Sequence, residues 1–207
     1  MRPDPRRDRS ADAARRGTAF RVIGIMVAVM WGLEIVDVAA GHRLDRLGIE
    51  PRDADGLVGV ATAPFLHAGF GHLASNTVPF VALGLAIAFS GLIRLATVTL
   101  IVMAVGGLGT WLLAPEGTVH IGASGVVFGY AAYLIVRGIF NRSLGELALA
   151  AVVVLFMGGA LVGGLVPRSG VSWQGHLFGA LGGLAAARVL AGPRRRPPQP
   201  TGVRAAT

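Results

Sequence analysis

A serine hydroxyl held between glycines, in Gly122-Ala123-Ser124-Gly125, stands at the mouth of the apolar run 126–136. Glycine on either side lets the backbone turn tightly and lets a neighbouring helix approach, while the unpaired N–H groups of a helix start face whatever the hydroxyl attacks. Fifty-two residues later comes Gly175-His176-Leu177-Phe178-Gly179, and upstream lie His67, His72 and Asn76. Serine beside histidine is the minimal nucleophile and base for acyl transfer, with His72, Asn76 and the Ser124 amide as candidate donors to a developing oxyanion.

The elements that must position these groups are read from composition. With 53% hydrophobic and 14% charged residues and a mean hydropathy of +0.64, the chain is too apolar for an ordinary soluble domain. It reads as an all-α polytopic membrane protein with one membrane domain. The absence of cysteine excludes disulfides, thiolate metal sites and a cysteine nucleophile. The net charge of +8 comes from arginine alone and concentrates at the ends, which marks topology rather than nucleic-acid binding.

Six apolar runs are long enough to span a bilayer: 18–40, 72–89, 92–113, 122–139, 147–166 and 172–190. Segments 1–17 and 192–207 are expected to be disordered cytoplasmic tails around a membrane domain at 18–191. With both termini inside, fifteen of the nineteen arginines fall on the inner side, as the positive-inside rule requires. The first run lacks a small-residue cleavage site and reads as a retained helix. Glu34 and Asp37, near its outer end, are expected to face protein or the interface, and the charged stretch 41–63 an outer or interfacial loop with a solvated face. His42 and His120 read as loop residues.

In this topology spans two, four and six all run inward, and His72, Asn76, Ser124 and His176 lie near their starts. They therefore share one depth below the outer surface. Polar groups in hydrocarbon are costly unless they face one another or water, so a common cavity open to the outside is predicted. Gly179 and Gly183 share a face with His176, and Gly125 and Gly129 offer a matching groove on span four. Close contact there brings the Ser124 hydroxyl within reach of His176. No carboxylate lies at matching depth, so ring packing must orient the imidazole, and the sequence leaves open which ring nitrogen carries the proton.

At these residues the chain resembles the rhomboid intramembrane serine proteases, over roughly 18–190. Gly122-Ala123-Ser124-Gly125 is similar to the family's GxSG motif, which implies Ser124 as nucleophile. His176, followed by Gly179 and Gly183, is similar to the family's base and its small-residue packing face, and His72 with Asn76 to the His-x-x-x-Asn pattern of the second span. Gly122, Gly125, Gly129, Gly179 and Gly183 are accordingly expected to serve helix packing. Phe128 stands where many members carry a tyrosine beneath the histidine, so it supplies a stacking ring without a hydroxyl. Ala63 stands where some members have a further histidine, and the Trp-Arg pair of the first outer loop is absent.

The expected function is therefore intramembrane serine endopeptidase activity on transmembrane segments of other proteins, in a bacterial plasma membrane, with no cofactor and no metal. Substrate access is expected past span five, and the oligomeric state is left open. Two other readings stand beside it. A catalytically inactive rhomboid-like protein would bind transmembrane clients, and its phenotype would survive Ser124→Ala. A solute channel would need polar residues at several depths, whereas the inner halves of these spans are apolar. For single residues the bland readings are a helix cap or carbonyl back-bond for Ser124, an inter-helix bond for His176 or Asn76, and interfacial placement for His67 and His72.

Overall fold

The computed structural model describes residues 5–141 and 143–191, with side chains from Arg16 onward. Residues 1–4 and 192–207 of the expected tails, and Arg142 of the inner charge count, lie outside the described residues. Among the described residues the protein is helical, with one isolated antiparallel bridge between Ile49 and His120. The long helices are α1 (Pro5–Ala39), α3 (Phe70–Ala88), α4 (Leu92–Leu113), α5 (Ser124–Asn141), α6 (Leu144–Gly164) and α7 (Trp173–Val189); a single turn, α2 (Gly59–Thr62), lies in the first loop. Five of them are long and apolar enough to cross a membrane, the first over Arg16–Ala39, and α7 has 17 residues.

Several boundaries differ from expectation, two of them for a clear physical reason. The first helix begins at Pro5, within the segment expected to be a disordered tail. That segment is rich in alanine and arginine, and extending an existing helix adds one bond per residue without a new nucleus. The fourth apolar run becomes helical at Ser124 rather than Gly122, because Gly122 has φ +116°, a left-handed-side conformation outside any helix.

Helix α7 lies between α4 and α5, and glycines make this possible. A Cβ on Gly179 would strike the Gly125 carbonyl, and one on Gly183 the Gly129 carbonyl. On the opposite side, a Cβ on Gly106 of α4 would stand 3.3 Å from the Gly179 Cα, and one on Gly182 2.9 Å from the Val102 Cα. Small residues therefore line both faces of α7, and backbone approaches backbone. Behind this contact, the buried Tyr130 stacks on Phe80 at 5.7 Å, and its hydroxyl pairs with Thr99 Oγ1 at 2.6 Å. Helix α6 rests on α5, burying only Ala150 and Val153, and leaves Leu155 and Phe156 exposed.

The first loop is not simply a solvated face. Arg52 donates to the Leu112 and Ala114 carbonyls at 2.9 Å each and pairs with Glu116 at 2.7 Å, capping the end of α4. Trp111 Nε1 donates back to the Asp53 carbonyl at 2.7 Å. The loop is thereby fastened to the segment that leads into Ser124.

Candidate active site

The start of α5 is shaped by its neighbours. Gly122 N–H donates to the Ala63 carbonyl at 2.9 Å, and Ala123 N–H to His67 Nε2 at 3.3 Å. A side chain at Gly122 would stand 2.7 Å from the His72 ring, so this glycine clears room for His72 rather than packing helices. The turn delivers Ser124 as the first residue of α5, where its N–H has no intrahelical partner.

From the facing helix α7, His176 reaches Ser124. Its Nε2 lies 2.8 Å from Ser124 Oγ, and its Nδ1 lies 2.7 Å from the carbonyl of Gly164 at the end of α6. A carbonyl can only accept, so Nδ1 carries the proton and donates to Gly164. The lone pair of Nε2 is left to accept from the serine hydroxyl. The third partner missing from the sequence is thus a backbone carbonyl. Phe128 completes the support, its ring stacked on His176 with centroids 4.1 Å apart and planes 7° from parallel.

Gly164 is the residue that sequence reading missed. A Cβ there would meet Phe128 and stand 2.9 Å from His176 Nδ1, so the carbonyl contact and the ring stack both require glycine. The run Gly163-Gly164 at a helix end was the only signal, and spacing cannot distinguish such a glycine from a packing residue.

His72 and Asn76, one turn apart on α3, share the cavity with Ser124 and His176. This cavity of about 1000 Å³ is open and is roofed by 118–121 and 167–174. His72 Nδ1 accepts from Ala68 N–H at 3.4 Å, which leaves the proton on Nε2. Asn76 Nδ2 spends one hydrogen on the His72 carbonyl at 3.1 Å and keeps a second. Together with the Ser124 N–H, three donors border the Ser124 hydroxyl, an arrangement able to receive charge developing on a carbonyl oxygen.

Two further histidines hold the frame. His120 was expected to be a plain loop residue, but it is a clamp. Gly175 N–H donates to Ser172 Oγ, Ser172 Oγ–H to His120 Nδ1 at 2.7 Å, His120 Nε2–H to Thr118 at 2.8 Å, and Thr118 to the Pro115 carbonyl. The segment before Ser124 is thereby joined to the α7 cap before His176. Burial pushes the His120 imidazole below its ordinary value, so it stays neutral as this relay requires.

His67 is 1% exposed and packs edge-on against His72. Burial first, and then His72, push it down from 6.5 to about 4. Because the folded value is lowered, the unfolded chain binds the proton more readily, and stability is lost as pH falls from 6.5 towards 4. The expected loss is on the order of 3 kcal/mol. Thermal unfolding in detergent at pH 7 and pH 4.5 checks this: His67→Gln, which keeps an acceptor for Ala123 N–H, should lower the pH-7 melting temperature modestly and flatten the acid slope.

A helical membrane bundle with a serine–histidine contact beneath an open cavity defines the class, and comparison with known proteins supplies the family. A Rhomboid domain profile matches residues 54–193. The chain belongs to the rhomboid family. It is 44% identical over 178 residues to uncharacterized proteins of Mycobacterium tuberculosis and Mycobacterium bovis, covering 82% of this chain and 74% of theirs. A Bacillus subtilis protein, YdcA, whose given name proposes a rhomboid protease, is 31% identical over 124 residues, covering 59% of this chain and 61% of its own.

Proposed function

We propose that this protein is an intramembrane serine endopeptidase that cleaves transmembrane segments of other membrane proteins. The observation that carries the proposal is the 2.8 Å contact from Ser124 Oγ to His176 Nε2, with Nδ1 locked on the Gly164 carbonyl. Ser124 Oγ attacks the scissile carbonyl carbon while His176 Nε2 takes its proton. The oxyanion is held by the Ser124 N–H, the free Asn76 N–H and His72 Nε2–H. Collapse of the tetrahedral intermediate breaks the C–N bond, and His176 returns the proton to the leaving amine. Water from the cavity, deprotonated by His176, then releases the acyl group and regenerates the hydroxyl.

The same reading counts α7 as a sixth span, places both termini and the arginine-rich ends in the bacterial cytoplasm, and opens the cavity to the outside. A substrate helix must unwind locally before its carbonyl can be attacked, so sites with glycine or other weak helix formers are favoured. The sparsely buried α6 suits a lateral gate for such a segment.

Labelling with a fluorescent fluorophosphonate tests the proposal. Wild-type protein in detergent should label, and Ser124→Ala and His176→Ala should not. A folded, monodisperse wild type that fails to label would favour a client-binding rhomboid-like protein. Gly164→Ala should cut the labelling rate by roughly 10²-fold through displacement of His176 while the protein remains folded; an unchanged rate would remove the carbonyl from the arrangement.

A further inference from the structure

Outside the Ser124–His176 machinery, the outer end of α1 and the following loop gather Asp37, His42 and Asp45. Asp37 is 2% exposed, and its Oδ1 accepts Leu44 N–H at 2.6 Å, which folds the loop back over the helix end. Its Oδ2 lies 3.4 Å from His42 Nδ1, and Asp45 Oδ2 lies 3.8 Å from the same nitrogen. One ligand atom from each residue falls within 4.8 Å of the other two.

A second observation is independent of that spacing. Asp37 Oδ2 and Asp45 Oδ1 are buried with no hydrogen-bond donor, and the buried Glu34 carboxylate beside them has only the Gly69 N–H acting on it. Glu34 is 2% exposed, sits one turn before Asp37 on the same face of α1, and interacts electrostatically with Asp37, His42 and Asp45. Among the described residues no arginine is ion-paired to any of the three acids. A single imidazole, even protonated, leaves the carboxylates undercompensated. Buried carboxylates persist when they are paired, protonated or bound to a cation.

We propose that Asp37, His42 and Asp45 bind a divalent transition-metal ion of the zinc class, with Glu34 adding negative charge behind them. An imidazole nitrogen among the ligands favours zinc over calcium or magnesium, which take oxygen ligands. Separations of 3.4 and 3.8 Å are what ligands at about 2.0–2.2 Å from one ion span. Three protein ligands leave a position for water or another donor. Asp45 also lines the large cavity, so the ion would tie the end of α1 to the rim of that cavity. The sequence expectation of no metal concerned His72, Asn76 and the histidines at their depth, which lack a nearby carboxylate and a His-Glu-x-x-His spacing; here the ligands are other residues, which converge only because the chain reverses after α1. The inference is independent of protease activity.

The full-length, tag-free chain in detergent micelles, stripped with chelator and desalted after addition of Zn²⁺, should retain about one zinc per chain. Its melting temperature should rise with Zn²⁺ and not with equal Mg²⁺ or Ca²⁺. His42→Ala and Asp45→Asn should each abolish retention in protein that remains folded. Glu34→Gln should weaken binding by roughly 10–100-fold, and Ser124→Ala should bind as wild type. No retained zinc in folded wild type, equal retention in His42→Ala, or a preference for Ca²⁺ would each overturn the proposal. In the first case a proton shared between Asp37 and Asp45 takes the cation's place.

Discussion

Ser124→Ala and His176→Ala are each expected to lower cleavage of a transmembrane substrate by roughly 10⁴-fold or more, to the level of background. The double variant should be no slower than either single one. The reason lies in the shared hydrogen bond. With His176 truncated, the hydroxyl at Ser124 keeps its proton and attacks weakly; with Ser124 truncated, the imidazole has nothing to activate. Additive losses in the double variant would mean that the 2.8 Å contact is structural and that the two residues act separately. Initial rates in detergent or liposomes, with melting temperatures measured alongside, distinguish the outcomes. Ser124→Ala should leave packing unchanged, whereas His176→Ala also removes the stack on Phe128 and the bond to Gly164, so rates are compared per folded molecule.

Gly179→Val is expected to have the next largest effect, and to damage fold and site together. Even the first carbon of a side chain at this position would strike the Gly125 carbonyl, and a Cβ would also lie 2.8 Å from the Gly125 carbonyl carbon. These are backbone atoms, so nothing flexible can yield. Helices α5 and α7 must separate, at a cost of about 1–3 kcal/mol in packing. Because Ser124 begins one of these helices and His176 lies on the other, a shift near 1 Å should reduce turnover by about 10²-fold in whatever protein remains folded. Thermal unfolding together with the cleavage rate per folded molecule separates the two losses. By contrast, a Cβ at the exposed Gly159 of α6 meets nothing within 4 Å, and Gly159→Val should leave both quantities near wild type.

Much of this arrangement was legible in the sequence because it follows from one-dimensional quantities. Run length marks the membrane class and the helices, and short connections between successive helices give their alternation. That alternation puts Ser124, His176, His72 and Asn76 at one depth, and the structure places all four around one cavity. The facing glycines Gly125, Gly129, Gly179 and Gly183 were also readable, since a four-residue repeat of small side chains on a helix has few other uses. Helix starts were less readable: Gly122 looked like part of the span, but its positive φ places it in the turn that makes room for His72.

The sequence by itself determined which residues share a depth and a helix face, because helical periodicity and bilayer thickness convert position along the chain into position along the membrane normal. Tertiary structure alone decided what lies sideways of them. The carbonyl of Gly164 that orients His176, the relay from Pro115 through His120 to Gly175, and the gathering of Asp37, His42 and Asp45 all join segments whose lateral distance no residue pattern encodes. Two of these also depend on backbone atoms, which every residue carries alike, so they leave no mark in residue type except the glycine that must stand aside.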